Sequence, residues 1–188
     1  HQEHVESEDP LYAEVAEATK AMLRMTSAEI EALVAKEVDR RFASHSSAMS
    51  MVRLRDFFFP MFARIFYEVV FKEECPDEVV PILVGSGDNV ISALKFCTLR
   101  DMKRRGRLTD YLRKRMQAGD CPAMRKADMT LEQKAVFLQG VFFHTAVVQM
   151  SEALAHHVLA IAQHQDVQAR LARIDDPDAS EYMDLVCK

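Results

Sequence analysis

Residues Thr130–Arg173 read TLEQKAVFLQGVFFHTAVVQMSEALAHHVLAIAQHQDVQARLAR, with no proline and one glycine. Thr130 is followed three residues later by Gln133, the spacing of a capping box at a helix start. Phe137, Val141, Val148, Ala155, Leu159 and Ala162 then recur at helical spacing. A helix that continues to about His164 is roughly 50 Å long at 1.5 Å rise per residue, enough to cross a whole domain. Apolar residues lie around most of its circumference, so the pattern predicts a central helix buried on several sides by other helices. Any bend is expected near Gly140 or Thr145, where a small residue or a hydroxyl disturbs the hydrogen-bond ladder.

The rest of the chain agrees with an all-α fold. The 188 residues suit a single domain with a real core. Apolar residues make up 49% and only 5 positions are glycine, which favours a helical globular chain over a disordered or all-β one. Leu11–Arg24 reads as a first helix after an acidic, frayed tail at His1–Pro10. Thr26 and Ser27 cap a second, Ala28–Ala43, with Ile30, Leu33, Val34, Val38 and Phe42 on one face. Ser44–Ser50 is a polar loop. Arg53–Lys72 is either a helix pair interrupted near Pro60 or one helix with Pro60 in its first turn. Cys75-Pro76 forms a turn. Asp77–Leu94 is a helix with a weak point at Gly85-Ser86-Gly87, and Thr98–Gln117 is a strongly basic helix. Gly119–Asp128 is a loop, Asp175–Ser180 a turn, and Glu181–Lys188 the start of a truncated helix.

Charge and cysteine usage exclude some classes. The net charge of −5 gives no drive toward nucleic acid. The 4 cysteines are widely spaced and form no C-x-x-C, which indicates neither a zinc site nor a disulfide framework and suits a reducing compartment. No apolar run reaches membrane-spanning length and no secretory signal is visible, so the expectation is a soluble, cytoplasmic chain. The chain starts at His1 without methionine, in keeping with a longer parent chain or a processed product.

The end of the long helix carries a resemblance. A buried helix ending in A-x-H-x-x-V-Q-x-R-L resembles the central oxygen-side helix of the cytochrome P-450 family, which runs past the haem into a segment usually written H-P-E-V-Q. Here that segment is His164-Gln165-Asp166-Val167-Gln168, followed by Arg170 and Leu171. Val52-Arg53-Leu54-Arg55-Asp56-Phe57-Phe58 through Val70-Phe71-Lys72 is similar to the family's helix pair before the F–G region. Arg107-Leu108-Thr109-Asp110-Tyr111-Leu112 is similar to the segment before the central helix, and Glu181-Tyr182-Met183-Asp184-Leu185-Val186-Cys187-Lys188 to the start of the helix that carries E-x-x-R. The order of the pieces is the family's order.

The resemblance implies the middle portion of a haem-thiolate oxidoreductase acting on an apolar organic substrate, with a redox partner. Counted back from Val167-Gln168, the family's A-G-x-D/E-T-T pattern falls on Thr145-Ala146-Val147-Val148-Gln149-Met150. It implies that Thr145 and Ala146 lie at the haem, that Val148 and Gln149 stand where the proton-relaying acid and alcohol stand, and that Phe142 and Phe143 face the substrate. Valine has no acid–base role, and a glutamine there is similar to family members that rearrange fatty-acid hydroperoxides. The F-x-x-G-x-x-x-C-x-G loop that supplies the haem cysteine is absent, and none of Cys75, Cys97, Cys121 or Cys187 has its context. The iron ligand is therefore expected from the remainder of a longer polypeptide or from a second chain, and no metal ligand from this one. Two alternatives stay open: a hydroperoxide-rearranging relative, and a haem-free helical protein that binds an apolar ligand or a partner.

Other groups have plainer readings beside their functional ones. Glu37 and Arg40 spell E-x-x-R but precede the long helix, and read as a surface i,i+3 ion pair. His144, His156, His157 and His164 share one helix, and the seven-residue spacing of His157 and His164 is too wide for one metal without other ligands. His144, between Phe143 and Thr145, is the histidine to watch. Cys75-Pro76 and Cys121-Pro122 resemble haem-regulatory pairs but also read as turns. Arg100, Lys103, Arg104, Arg105, Arg107, Arg113, Lys114 and Arg115 form a basic helix that reads as a solvated face. Phe57, Phe58, Phe59, Phe62, Phe66 and Phe71 read as core before pocket.

Overall fold

A computed structural model describes residues 10–43, 51–95, 99 and 101–173. Among them every regular element is helical: α1 Pro10–Leu23, α2 Ser27–Ala43, α3 Leu54–Phe71, α4 Val80–Lys95, α5 Met102–Ala118, α6 Leu131–Leu138, α7 Val147–Gln163 and α8 Gln165–Leu171. A 3₁₀ turn, Pro122–Met124, precedes α6. The all-α expectation holds for these residues. The acidic tail, the Ser44–Ser50 loop, Cys97, Arg100, Cys187 and the helix start at Glu181–Lys188 lie outside the described residues.

The long helix forms, with one change of winding, but it is not buried on several sides along its length: Val141, Leu159 and Ala162 are exposed, and of Val147–Gln163 only Val147 and Ser151 are buried, because few other helices reach its second half. The Thr130 hydroxyl accepts from the amide of Gln133 (3.2 Å), and the Gln133 side chain accepts from the amide of Thr130 (2.8 Å). α6 then runs without a break through a π-helical segment, Gln139–Ala146, into α7. The amide of Val147 reaches back five residues to the carbonyl of Phe142. The π winding spans both positions where a disturbance is expected, Gly140 and Thr145. Two polar side chains of this segment bond neighbouring helices, one to α5 and one to α4. Gln139 accepts from Thr109 (2.8 Å) and donates to the carbonyl of Arg105 (3.2 Å), while Nε2 of His144 lies 2.7 Å from the Ser86 hydroxyl. The helix ends at Gln163. There the Gln168 amide, from α8, donates to the last-turn carbonyls of Ile161 (3.0 Å) and Ala162 (3.1 Å), satisfying groups a helix end leaves open.

α3 is the helix most of the bundle packs on, with α7, α4 and α2 against it. Phe58, Phe59, Met61, Phe62, Ala63, Ile65, Tyr67, Val69, Val70 and Phe71 are all buried. Pro60 does not split this helix and is not in its first turn, because a side chain replaces what the proline removes. Proline cannot donate to the carbonyl four residues back. The Arg41 guanidinium, from α2, donates to that carbonyl, on Asp56 (2.7 Å), and to the carbonyl of Phe57 (2.9 and 2.7 Å).

The expected weak point in α4 is a close approach instead. Gly87 faces the ring of Phe59, and a Cβ built there would lie 2.6 Å from the nearest ring carbon. The α2 face also departs from its pattern: Leu33 is buried, whereas Ile30, Val34 and Phe42 are exposed. Among the described residues the main packing of α2 is on α3, which covers the side that carries Leu33 and leaves these three outside it. The basic helix α5 is not wholly a solvated face. Arg115 is anchored under the bundle by Glu73 (2.8 Å), Asp120 (2.6 Å) and the Tyr67 hydroxyl (2.5 Å), with its guanidinium 4.6 Å from the Phe71 ring centroid.

No helix among the described residues is long and apolar enough to cross a membrane.

Candidate functional site

The residues that the resemblance places around haem do not share one environment. Phe142 and Phe143 are core side chains, and Phe142 packs on Phe66 (centroids 6.3 Å) and Phe137 (6.1 Å). Val148 is half-buried and comes within reach of Gly87, and Ala146 is half-buried. Thr145 and Gln149 are exposed. His144 is tied to α4 through Ser86, which is itself buried. His156, His157 and His164 are exposed. Among the described residues no group of three or more histidine, cysteine or acidic side chains could hold a metal ion.

The described cysteines are poor thiolates. Cys75 and Cys121 are free and buried. Burial pushes the Cys75 thiol up to about 12, and raises that of Cys121 as well. Both thiols pack inside the bundle as small apolar side chains. The turn reading of Cys75-Pro76 and Cys121-Pro122 fits this burial.

A different set of side chains converges. An open cleft of about 750 Å³ lies where α2, α3 and the start of α4 meet. Arg40 and Arg41 come from α2, Pro60 and Arg64 from α3, Val80 and Pro81 from α4, and Glu74, Cys75, Pro76 and Asp77 from the loop between α3 and α4. The loop is set by Lys72, which caps α3 in the left-handed region (φ 58°) and turns the chain across the helix ends. Its ammonium donates to the carbonyl of Met22 (3.2 Å).

Behind the cleft sits Glu37, one turn before Arg40 and 1% exposed. The expected i,i+3 pair of Glu37 and Arg40 is present, but on the Glu37 side it is buried and not at the surface, because α3 covers the face of α2 that carries Glu37. Its two oxygens face different arginines, Oε1 at 3.4 Å from Nη1 of Arg40 and Oε2 at 3.9 Å from Nε of Arg64. Oε2 makes no hydrogen bond. Burial pushes the Glu37 carboxyl up, and Arg40, Arg64 and Lys36 pull it part of the way back.

Toward solvent each arginine meets a loop acid. Arg40 pairs with Glu74 and Arg64 with Asp77, and Arg64 also donates to the carbonyl of Cys75 (3.0 Å). Hydrogen bonds from the arginines hold both outer carboxyls below their usual range. Burial, with the nearby charge of Arg64, lowers the third guanidinium, Arg41. Sequence pattern could have suggested Glu37, since it falls on the same stripe as Leu33. Arg64 carried no such signal, because its partners come from residues 37, 75 and 77.

The described residues form an all-helical bundle with a recess lined by guanidiniums and by Pro60, Val80 and Pro81. No family model, curated protein or solved structure matches the chain.

Proposed function

We propose that this chain is a haem-free helical binding protein whose ligand seat is the cleft between α2, α3 and α4. The observation that carries the reading is the convergence of Arg40, Arg41 and Arg64 on one recess that also has apolar Pro60, Val80 and Pro81 in its walls. A binding site of this kind needs apolar area to bury a ligand's body and a few fixed polar groups to orient it. Arg64 is well placed, with a side chain only 13% exposed and a hydrogen bond to the carbonyl of Cys75 (3.0 Å). The burial of Phe142 and Phe143, with Phe142 packed on Phe66 and Phe137, supports the same reading, since their apolar surface is already used by the bundle. The test is a fluorescence titration with anilinonaphthalene sulfonate, an apolar anion that brightens when it leaves water. The expected result is one saturable site that weakens strongly in Arg40→Gln. Non-saturating binding, unchanged in Arg40→Gln, would remove the reading.

A second reading keeps the cytochrome P-450-like fold and its hydroperoxide-rearranging variant. It is supported by the unbroken run from Leu131 to Gln163, whose winding shifts at Gln139–Ala146, beside the residues the resemblance assigns to haem. On this reading a cysteine outside the chain supplies the thiolate, haem provides the oxidising chemistry, and the apolar substrate and redox partner meet the completed protein. Thr145 and Ala146 would border the haem, Val148 and Gln149 the bound ligand, and Phe142 and Phe143 the substrate. The exposure of Thr145 and Gln149 leaves them free to meet a second chain. A carbon monoxide spectrum of the chain mixed with haem and reductant tests the point: the chain alone should give no thiolate-type band.

A further inference from the structure

We infer that the cleft recognises an organic dicarboxylate, and that Glu74 and Asp77 occupy its two carboxylate positions as a tethered competitor. The inference rests on the proposed ligand-binding reading of the same cleft and adds the class of ligand. It starts from charge. Arg40, Arg41 and Arg64 line the cleft, Arg41 with donors on the carbonyls of Asp56 and Phe57, and the buried Glu37 lies on the inner side of Arg40 and Arg64. The outer side of Arg40 and Arg64 carries two separate carboxylates, Glu74 and Asp77.

The geometry separates inner from outer acid. Glu37 is enclosed and turns one oxygen toward each of Arg40 and Arg64, at 3.4 and 3.9 Å. On each guanidinium one nitrogen, Nη2, is turned away from Glu37 and donates to a carboxylate on the outer side. Glu74 and Asp77 meet these two nitrogens from solvent, with side chains 60% and 91% exposed. Ion pairs this exposed contribute little and exchange readily. A free diacid can replace both without disturbing Glu37. Its spacer would lie on Pro60, Val80 and Pro81. A monocarboxylate leaves one arginine to its loop acid, and a phosphate puts both charges on one centre where two separate guanidiniums are offered.

The experiment displaces anilinonaphthalene sulfonate from the full chain with glutarate, butyrate or inorganic phosphate. Glutarate should displace the dye at clearly lower concentration than the other two. With the dye held well below its own Kd for each protein, the glutarate midpoint in the Glu74→Gln, Asp77→Asn double variant should fall about ten-fold further, as expected if the competitor is closed about nine-tenths of the time. Both positions are exposed, so the fold does not depend on them. An independent readout needs no dye: phenylglyoxal should modify Arg40 faster in the double variant, and glutarate should slow it. Arg40-dependent dye binding with equal displacement by glutarate, butyrate and phosphate, or no change in the double variant, would overturn the dicarboxylate inference and leave the cleft as a binding site. Dye binding that ignores Arg40 would overturn both.

Discussion

At the scale of single residues, buried charge decides the behaviour of the cleft. The Glu37 carboxyl is raised above its ordinary value of 4.5, because burial outweighs the arginines. A carboxyl whose folded-state value is raised binds its proton more tightly in the folded chain. Its contribution to stability is complete below the unfolded value and declines as pH rises through the folded one. Glu37→Gln removes that decline. Urea midpoints measured from about pH 4.5 to about pH 7 should therefore move in favour of the variant as pH rises. Movement in favour of the wild type would mean that Arg40 and Arg64 outweigh desolvation. Arg41 makes a second residue-scale case. Losing its bonds to the carbonyls of Asp56 and Phe57 should cost about 1–2 kcal/mol in Arg41→Met, judged from the usual worth of charged hydrogen bonds. Pro60→Ala supplies an amide for Asp56, so the same change should cost less in that background. Equal costs in the two backgrounds would show that Arg41 acts elsewhere, for example through its 5.1 Å contact with the Phe57 ring.

At the scale of elements, what was legible followed local rules, and what was not depended on distant partners. The Thr130–Gln133 start is a contact between residues three apart, so sequence reveals it directly. The disturbance at Gly140–Thr145 could be expected, but its π form could not. That form depends on Thr109, Arg105 and Ser86, which lie on other helices. Pro60 looked like a breaker because its remedy, Arg41, lies 19 residues earlier. The Gly85-Ser86-Gly87 stretch looked weak by propensity, yet the helix is held by packing, and its two measurable glycines differ. A methyl at Gly87 meets the ring of Phe59, which is buried and cannot give way, so Gly87→Ala should destabilise by about 1–3 kcal/mol. Gly85 has nothing within 4 Å of its would-be Cβ, so Gly85→Ala should stabilise by up to about 1 kcal/mol through helix propensity. Thermal or urea unfolding of the two variants checks the opposite signs. Destabilisation by both would show that the helix is strained along its length.

At the scale of the whole molecule, two surfaces compete for the role of ligand site. One is the stretch from Phe142 to Gln149, picked out by resemblance. The other is the cleft, which no single segment of sequence could reveal, because its arginines, acids and apolar walls come from α2, α3, α4 and a loop. The first has its aromatic side chains in the core and its polar ones on the surface. The second gathers charge and apolar wall in one recess, which is why it carries the functional reading. The measurement that separates them is an amide chemical-shift map of the isotope-labelled chain titrated with anilinonaphthalene sulfonate. The expected shifts fall on Glu37–Arg41, Pro60–Arg64 and Glu74–Pro81, with Phe142–Gln149 unmoved. Shifts centred on Phe142–Gln149, with the cleft silent, would contradict the account.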